Sequence, residues 1–225
     1  MRPVSLEVLE DRTPQSRCDE GFLTLRRLRV RHRYDDGSAS PPYACDVVTR
    51  PGTDAVAAVL WFRGRDGRPQ VLLKEGVRPA IWLRRGLPLH PPDPEAPLML
   101  RELVAGVLEP GDEGEGGLAG RASAETREEA GLEVPSEAFR LLGSACFPSP
   151  GVSDEKVHFL VAELAAAPEL REGGRGDGTP MEEGTRSVVL DLEEAVRLCR
   201  IGAIPDMKTE VGLLRLASLL AAASG

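Results

Sequence analysis

The stretch of residues 106–132 reads GVLEPGDEGEGGLAGRASAETREEAGL. Its second half predicts a helix on which Glu125, Glu128 and Glu129 share one face, because positions i, i+3 and i+4 are neighbours on a helix. Gly131 follows as the expected C-terminal cap. Helix propensity gives no reason to crowd three carboxylates, whereas a hard divalent cation such as Mg²⁺ would relieve their repulsion. The stretch therefore predicts a metal-binding helix, and the alternative is a solvated acidic helix face.

The same stretch resembles the signature of the Nudix hydrolases. That signature runs Gly, five residues, Glu, seven residues, Arg-Glu, an apolar residue, any residue, Glu-Glu, any residue, Gly and an apolar residue. Gly106 takes its first place, and its downstream places fall on Glu125, Glu128, Glu129, Gly131 and Leu132. The resemblance implies Mg²⁺ or Mn²⁺ as cofactor, with Glu125 and Glu129 as ligands and Glu128 assisting. It also implies a further ligand in the carbonyl oxygen of Ala105, and a catalytic role for Glu129.

The stretch departs from this signature at several places. Asp112 replaces the first Glu, Ala124 replaces the Arg, and Thr126 stands at the apolar place. Residues 113–123 make a spacer of eleven residues where the signature has seven. Arg121 lies four residues before Glu125 and can supply the missing positive charge across one helical turn. We therefore interpret the stretch as a functional variant of the signature.

The N-terminal part predicts a β-hairpin. Residues 22–34 alternate in strand fashion, Asp36-Gly37 is a strong turn signal, and a second strand is expected over residues 43–49. This hairpin resembles the N-terminal β-region of the ADP-ribose pyrophosphatase branch of the family, where it helps to build a domain-swapped dimer. We therefore expect a homodimer, with residues 1–50 as lead-in and dimerisation hairpin and residues 51–225 as the Nudix domain.

Further segments resemble the substrate-binding parts of that branch. Arg78-Pro79 resembles the end of its Gln-Tyr-Arg-Pro segment, and residues 148–155 resemble a Ser-Pro-Gly loop that ends in a Glu near the terminal ribose. A Glu on a later mobile loop is the branch's general base. The resemblance implies five substrate-binding residues and two candidate bases: Arg50, Arg78, Glu102, Gly151 and Glu155, then Glu182 and Glu183. The alternatives are surface arginines, structural capping by Glu102, and solvent-facing loop glutamates.

The rest of the chain supplies the remaining elements of a mixed α/β domain. Apolar runs predict five strands, at residues 55–62, 70–74, 140–147, 156–164 and 186–190. Amphipathic patterns predict helices at 192–201 and 206–222, with Asp191 as N-cap and Glu194 near a capping-box position. The Pro-rich residues 82–97 are expected to form a surface loop. The resemblance implies the Nudix α/β/α sandwich, with a mixed sheet and an N-terminal β-hairpin extension.

Composition excludes several classes of function. The 225 residues are 41% hydrophobic and 28% charged with a net charge of −8, as expected of a globular protein. No basic tract is long enough to bind a nucleic-acid backbone, and no apolar run reaches membrane-spanning length. The N-terminus lacks a signal-peptide core, and the four cysteines are scattered as free thiols are. We expect a cytoplasmic protein that binds neither nucleic acid nor membrane.

These features predict an enzyme that acts on a small nucleotide. The leading hypothesis is metal-dependent hydrolysis of the diphosphate bond of ADP-ribose or a related nucleoside diphosphate sugar, giving a nucleoside monophosphate and a sugar phosphate. A second hypothesis is pyrophosphate cleavage of another nucleotide, such as a dinucleotide or a coenzyme A derivative. A third is a degenerate domain that binds a nucleotide without cleaving it. The three helix glutamates favour an enzyme, whereas Asp112, Ala124 and the longer spacer favour a binding protein.

Overall fold

The structure is a computed structural model, and it describes residues 21–170 and 184–223. It contains nine strands and four helices in the described part. The strands are Thr24–Val30 (β1), Tyr43–Thr49 (β2), Ala55–Arg63 (β3), Pro69–Val77 (β4), Met99–Glu102 (β5), Val104–Val107 (β6), Arg140–Leu141 (β7), Val157–Glu163 (β8) and Arg186–Asp191 (β9). The helices are Pro79–Trp82 (α1), Gly114–Ala130 (α2), Leu192–Arg200 (α3) and Met207–Ala223 (α4). Two 3₁₀ turns lie at Leu83–Gly86 and Ser136–Ala138.

Strand β3 is the centre of a seven-stranded mixed sheet. It pairs in parallel with β8 along its length and antiparallel with β4 and β6, while β5 and β9 both pair with β4 and β7 pairs with β8. Eight of its nine residues are buried, which is typical of a strand covered on both faces. The run AVAAVLWF is therefore apolar without interruption, because neither parity faces water.

The sheet opens between β3 and β4, and this opening positions the candidate site. The two strands pair only over Leu60–Arg63 and Pro69–Leu72. Beyond that point β6 pairs with the first half of β3, and β5 pairs with the second half of β4. Since β5 and β6 are separated only by Leu103, one continuous stretch of chain lies between the diverging strands. Side chains from β4, β5 and β6 therefore meet at the opening.

Helices cover both faces of the sheet. Ala57, Val59 and Trp61 of β3 pack in one apolar cluster with residues of α3 and α4. Their neighbours Val56, Ala58 and Leu60 pack in a second cluster with α2. The alternation of strand side chains thus fills two cores, one on each side. This arrangement confirms the predicted α/β/α sandwich with a mixed sheet.

The predicted elements are present, with corrections at three places. Residues 82–97, expected to be a loop, contain the end of α1 and a 3₁₀ turn, because Arg84 and Asp93 form an ion pair of 2.7 Å that holds the segment together. The strand expected at 140–147 is reduced to Arg140–Leu141, since Gly143 has a φ of 78° and turns the chain. Asp191 stands at the N-cap position of α3, as predicted, but its side chain does not cap the helix; its Oδ1 accepts a hydrogen bond of 2.9 Å from Gln70 Nε2.

The N-terminal hairpin forms a small sheet of its own. Strands β1 and β2 pair antiparallel from Thr24 with Thr49 to Val30 with Tyr43, as the alternating pattern predicts. The hairpin joins the rest of the chain where the Val48 N–H donates to the Val152 carbonyl at 2.7 Å. Several of its large apolar side chains are exposed, Phe22 among them. The homodimer and the division into residues 1–50 and 51–225 stay predictions. In the described ranges, no helix has the length and apolarity that a membrane span requires.

Candidate functional site

Helix α2 carries the three glutamates of the motif and turns two of them toward the sheet. The helix begins at Gly114, so the long spacer between Asp112 and Ala124 is helical over most of its length. It ends as predicted at Gly131, which has a φ of 67° and whose N–H donates to the Arg127 carbonyl at 3.0 Å. Burial of its apolar side against the sheet points Glu125 and Glu129 inward. Glu128 lies at the rim, with 41% of its side chain exposed.

Glu125 lies directly against the backbone of Gly106. A Cβ atom at that position would come within 1.8 Å of Glu125 Oε1, so only glycine admits the carboxylate here. The Glu125 side chain is 14% exposed. Burial, together with the negative charges of Glu129 and Glu128, raises the pKa of Glu125 to about 7. The spacing of the predicted motif thus brings an acidic group with a raised pKa to the opening of the sheet.

Arg121 braces the start of this helix. Its Nε lies 2.8 Å from Asp112 Oδ2, and its Nη2 lies 2.8 Å from Glu109 Oε2. Its Nη1 lies 3.7 Å from Glu125 Oε1, which confirms the contact predicted across one helical turn. Asp112 also accepts a hydrogen bond of 2.8 Å from the Glu109 N–H. Arg121 and Asp112 therefore fix the loop before α2 to the helix that carries the glutamates.

Glu129 is fully engaged by groups of the protein. Its Oε1 contacts the ammonium group of Lys74, and its Oε2 accepts a hydrogen bond of 3.0 Å from the Ala105 N–H. Both side chains of the ion pair are 7% exposed. Burial raises the pKa of Glu129, and Lys74 and the Ala105 N–H act in the opposite direction. The predicted metal ligand is thus bound to a lysine from β4.

A second buried network holds Arg78 beside Glu102. Glu102 Oε1 accepts from Arg78 Nε and Oε2 accepts from Lys208 Nζ, each at 2.5 Å. Lys208 also lies 3.0 Å from Asp206 Oδ2, and Asp206 caps α4 by accepting from the Thr209 N–H at 3.0 Å. Despite burial, the positive charges of Lys208 and Arg78 lower the pKa of Glu102 to about 2. Arg78 and Glu102, predicted separately, therefore form one charged unit.

The remaining substrate-binding candidates lie beside the hairpin. Arg50 Nη2 contacts Glu155 Oε1 at 2.5 Å, and both line a cavity of about 310 Å³. Gly151 lines a neighbouring cavity of about 380 Å³, and Ser153 and Asp154 line both. The structure therefore places the candidates in two groups, one at the sheet opening and one between hairpin and loop. Glu182 and Glu183 lie outside the described residues.

The donor set fits a divalent cation in part. Glu125 offers a carboxylate whose ionisation is opposed by burial and by like charges, so a hard cation would stabilise it. Glu129 does not fit in the same way, because both of its oxygens have protein partners. Within residues 21–170 and 184–223, no three His, Cys, Asp or Glu side chains converge on one metal position. The residues thus fit one cation at Glu125, with Glu128 nearby.

Sequence reasoning missed two lysines of the site. Lys74 ends the apolar run QVLLK, and its parity places it on the same face of β4 as Leu72, which packs toward α2. A charged residue at a buried strand position, facing a helix rich in glutamate, was the signal that could have found it. Lys208 stands in the C-terminal segment IPDMKT, and its partner Glu102 lies 106 residues earlier, so no local pattern indicates their pairing.

Comparison with known proteins gives one informative similarity. No protein-family model matches the chain. The chain is similar to the ADP-ribose pyrophosphatase of Haemophilus influenzae, with 29% identity over 162 residues. The aligned region covers 72% of this chain and 64% of that protein. The chain therefore spans slightly less than two thirds of the relative's length.

Proposed function

We propose that the chain hydrolyses the diphosphate bond of ADP-ribose or a related nucleoside diphosphate sugar, with Mg²⁺ or Mn²⁺ as cofactor. The products are a nucleoside monophosphate and a sugar phosphate. Three observations support this: the likeness to a protein named ADP-ribose pyrophosphatase, the variant of the Nudix signature, and the charged groups at the sheet opening. The proposal extends to a homodimer built through the hairpin.

The position of Glu125 against Gly106 carries the proposal. The Glu125 carboxylate is largely shielded from water, lies against a glycine backbone and is one helical turn from the buried carboxylate of Glu129, which makes its ionisation costly for the folded state. Structural stability alone does not account for it, because an apolar residue at this helix position would avoid the cost. A bound cation would stabilise the ionised Glu125 carboxylate and so account for its position.

The chain's own residues then bind and orient the diphosphate. The guanidinium of Arg78 is partly exposed and can pair with phosphate oxygens through its planar fork. Glu102, which is itself bound by Lys208, holds that guanidinium from the buried side, so its direction is fixed before substrate arrives. A divalent cation at Glu125 would supply charge neutralisation at the diphosphate and a lowered pKa for attacking water. Arg50, Gly151 and Glu155 would take the part of the substrate beyond the diphosphate.

The proton acceptor in this proposal is Glu182 or Glu183. Glu155 is the alternative, and its ion pair with Arg50 must open before it can act as a base. Changing Glu182 and Glu183 to Gln one at a time should lower kcat strongly for one residue and little for the other, with metal binding unchanged. Two mild effects would assign the water to another group, Glu155 among them.

A substrate panel with purified protein tests the function. Nucleoside diphosphate sugars, dinucleotides and coenzyme A derivatives are incubated with Mg²⁺ or Mn²⁺, and products are separated by chromatography. We expect a nucleoside monophosphate and a sugar phosphate from the preferred substrate. Glu125→Gln should reduce turnover by ~10²-fold or more, because it removes the proposed ligand of the cation. Glu129→Gln should also reduce turnover, because it leaves the buried ammonium group of Lys74 without its partner beside the site. Glu133→Gln is the matched control, because this exposed glutamate follows α2 and lies outside the proposed site.

A nucleotide-binding protein without hydrolytic activity is the second candidate. The ion pair between Lys74 and Glu129 favours it, because this pair engages a residue expected to bind metal. In that case one of the nucleotides would raise the melting temperature, while no product formed with either cation. Release of a nucleoside monophosphate that depends on Glu125 would reject this candidate.

A further inference from the structure

Lys74 is a buried cation inside the acidic cluster. It lies on β4, and the two-residue period of the strand directs its side chain toward α2, as it does for Leu72. Its side chain is 7% exposed, and its ammonium group contacts Glu129 Oε1. The same positive charge favours the ionised forms of Glu125 and Glu102. Lys74 therefore acts on all three buried carboxylates of the sheet opening.

With this ammonium group in place, both carboxylate oxygens of Glu129 have a partner in the protein. Oε1 is bound by Lys74, and Oε2 accepts from the Ala105 N–H on β6. A divalent cation at Glu129 would have to displace the ammonium or lie beside it. Displacement leaves a lysine in a buried place, and close approach sets two positive charges against each other. Glu125, by contrast, has one ion-pair contact among the described residues, the guanidinium of Arg121 at 3.7 Å.

We propose that Lys74 is the resident cation of Glu129, so that the chain binds one divalent cation, at Glu125, and none at Glu129. The inference rests on the proposed function only for the metal at Glu125. The lysine takes over the neutralisation of one carboxylate. A cation supplied by the chain needs no metal from solution and stays in place when metal is scarce.

A simpler account is that the pair only ties β4 to α2. Both accounts predict that loss of Lys74 destabilises the fold, because a buried Glu129 is left without its partner. They differ in what Mn²⁺ does to the variant. A resident cation can be replaced by a metal ion, so its loss should create a new Mn²⁺ site at Glu129. A tie between two elements leaves no such site.

Counting bound Mn²⁺ by electron paramagnetic resonance, without nucleotide, tests the proposal. The wild-type chain should bind one Mn²⁺, and Lys74→Met should bind a second, with Mn²⁺ raising the melting temperature of the variant more than that of the wild type. Lys74→Gln keeps a hydrogen-bond donor for Glu129 and provides the count if Lys74→Met does not fold. Lys208→Met is the matched control, because it removes a buried lysine from Glu102 and Asp206 instead.

One double variant provides a further test. Lys74→Met combined with Glu129→Gln removes both charges, and it should return the count to one. Two ions on the wild-type chain, or equal counts for the wild type and both Lys74 variants, would overturn the proposal. A second ion on Lys208→Met would also overturn it, since a general gain in negative charge would then explain the effect. Because no substrate is present, failure to hydrolyse any nucleotide leaves these counts unaffected.

Discussion

Replacing Glu125 by Gln should make the metal-free protein more stable at neutral and alkaline pH. In the folded chain, burial and the charges of Glu129 and Glu128 raise the pKa of Glu125 to about 7, against 4.5 for the ordinary group. Between these two pH values the folded state holds a proton on Glu125 that the unfolded state has lost. Unfolding then releases a proton, so the free energy of unfolding falls as the pH rises through this window.

The size of the effect follows from the difference between the two pKa values. One pKa unit corresponds to about 1.4 kcal/mol, so ionisation of Glu125 should cost the folded state at most about 3 kcal/mol above pH 7. The cost is absent below pH 4.5, where both states are protonated. It is also absent at every pH in Glu125→Gln. The stability difference between variant and wild type should therefore grow from near zero at about pH 4 to nearly its full value at about pH 8.

Urea denaturation in the presence of a chelator measures this difference at each pH. The Glu133→Gln variant is the matched control, since this exposed carboxylate follows α2 and should contribute little. Adding Mg²⁺ at pH 8 should reverse the order, because only the wild type has a carboxylate for the cation. A difference that does not change between pH 5 and pH 8 would refute the reasoning about Glu125.

Three further predictions concern the rest of the structure. Gly106→Ala should lower the free energy of unfolding by about 1–3 kcal/mol and reduce turnover, because the new Cβ meets the Glu125 carboxylate. Melting curves would show the loss of stability. Gly120→Ala is the control: its Cβ meets no atom within 4 Å, so it should not destabilise the fold. Glu102→Gln should cost about 3–5 kcal/mol at pH 7 in urea denaturation, because it removes the buried carboxylate that Arg78 and Lys208 share. Since the pKa of Glu102 is about 2, that loss should shrink as the pH falls from 4.5 toward 2. Light scattering at micromolar concentration should give the mass of a dimer, and a monomeric mass would reject the hairpin as a dimerisation element.

The sequence predicted most elements of the fold because local patterns determine them. The period of two in β2 and the glycine after α2 gave the strand Tyr43–Thr49 and the helix end at Gly131. Strand β7 was overestimated, because residues 140–147 are apolar enough for a strand while Gly143 bends the chain away. Apolar character alone does not distinguish a paired strand from a buried turn.

The candidate site was less predictable because its partners are distant in sequence. Glu125 and Glu129 were found from their spacing on one helix. The partner of Glu129 lies 55 residues away on β4, and Lys208 lies 106 residues from Glu102. Such pairings depend on which strands are neighbours and on where β3 and β4 diverge. Periodicity predicts that a residue faces a core, but the sheet order decides which residue it meets.

The position of Arg121 inside α2 explains how the spacer can be longer than in the Nudix signature while Glu125 and Glu129 keep their placement. Everything from Arg121 onward keeps a fixed helical phase relative to Glu125 and Glu129. The four additional spacer residues correspond to roughly 6 Å of helix, and they lie at its N-terminal end, before Arg121. Counting the places of the signature forwards from Gly106 therefore misplaces the glutamates by four residues. Counting backwards from Gly131 places them correctly. A change in length before Arg121 therefore leaves Glu125 and Glu129 on the same face of the helix, turned toward the sheet.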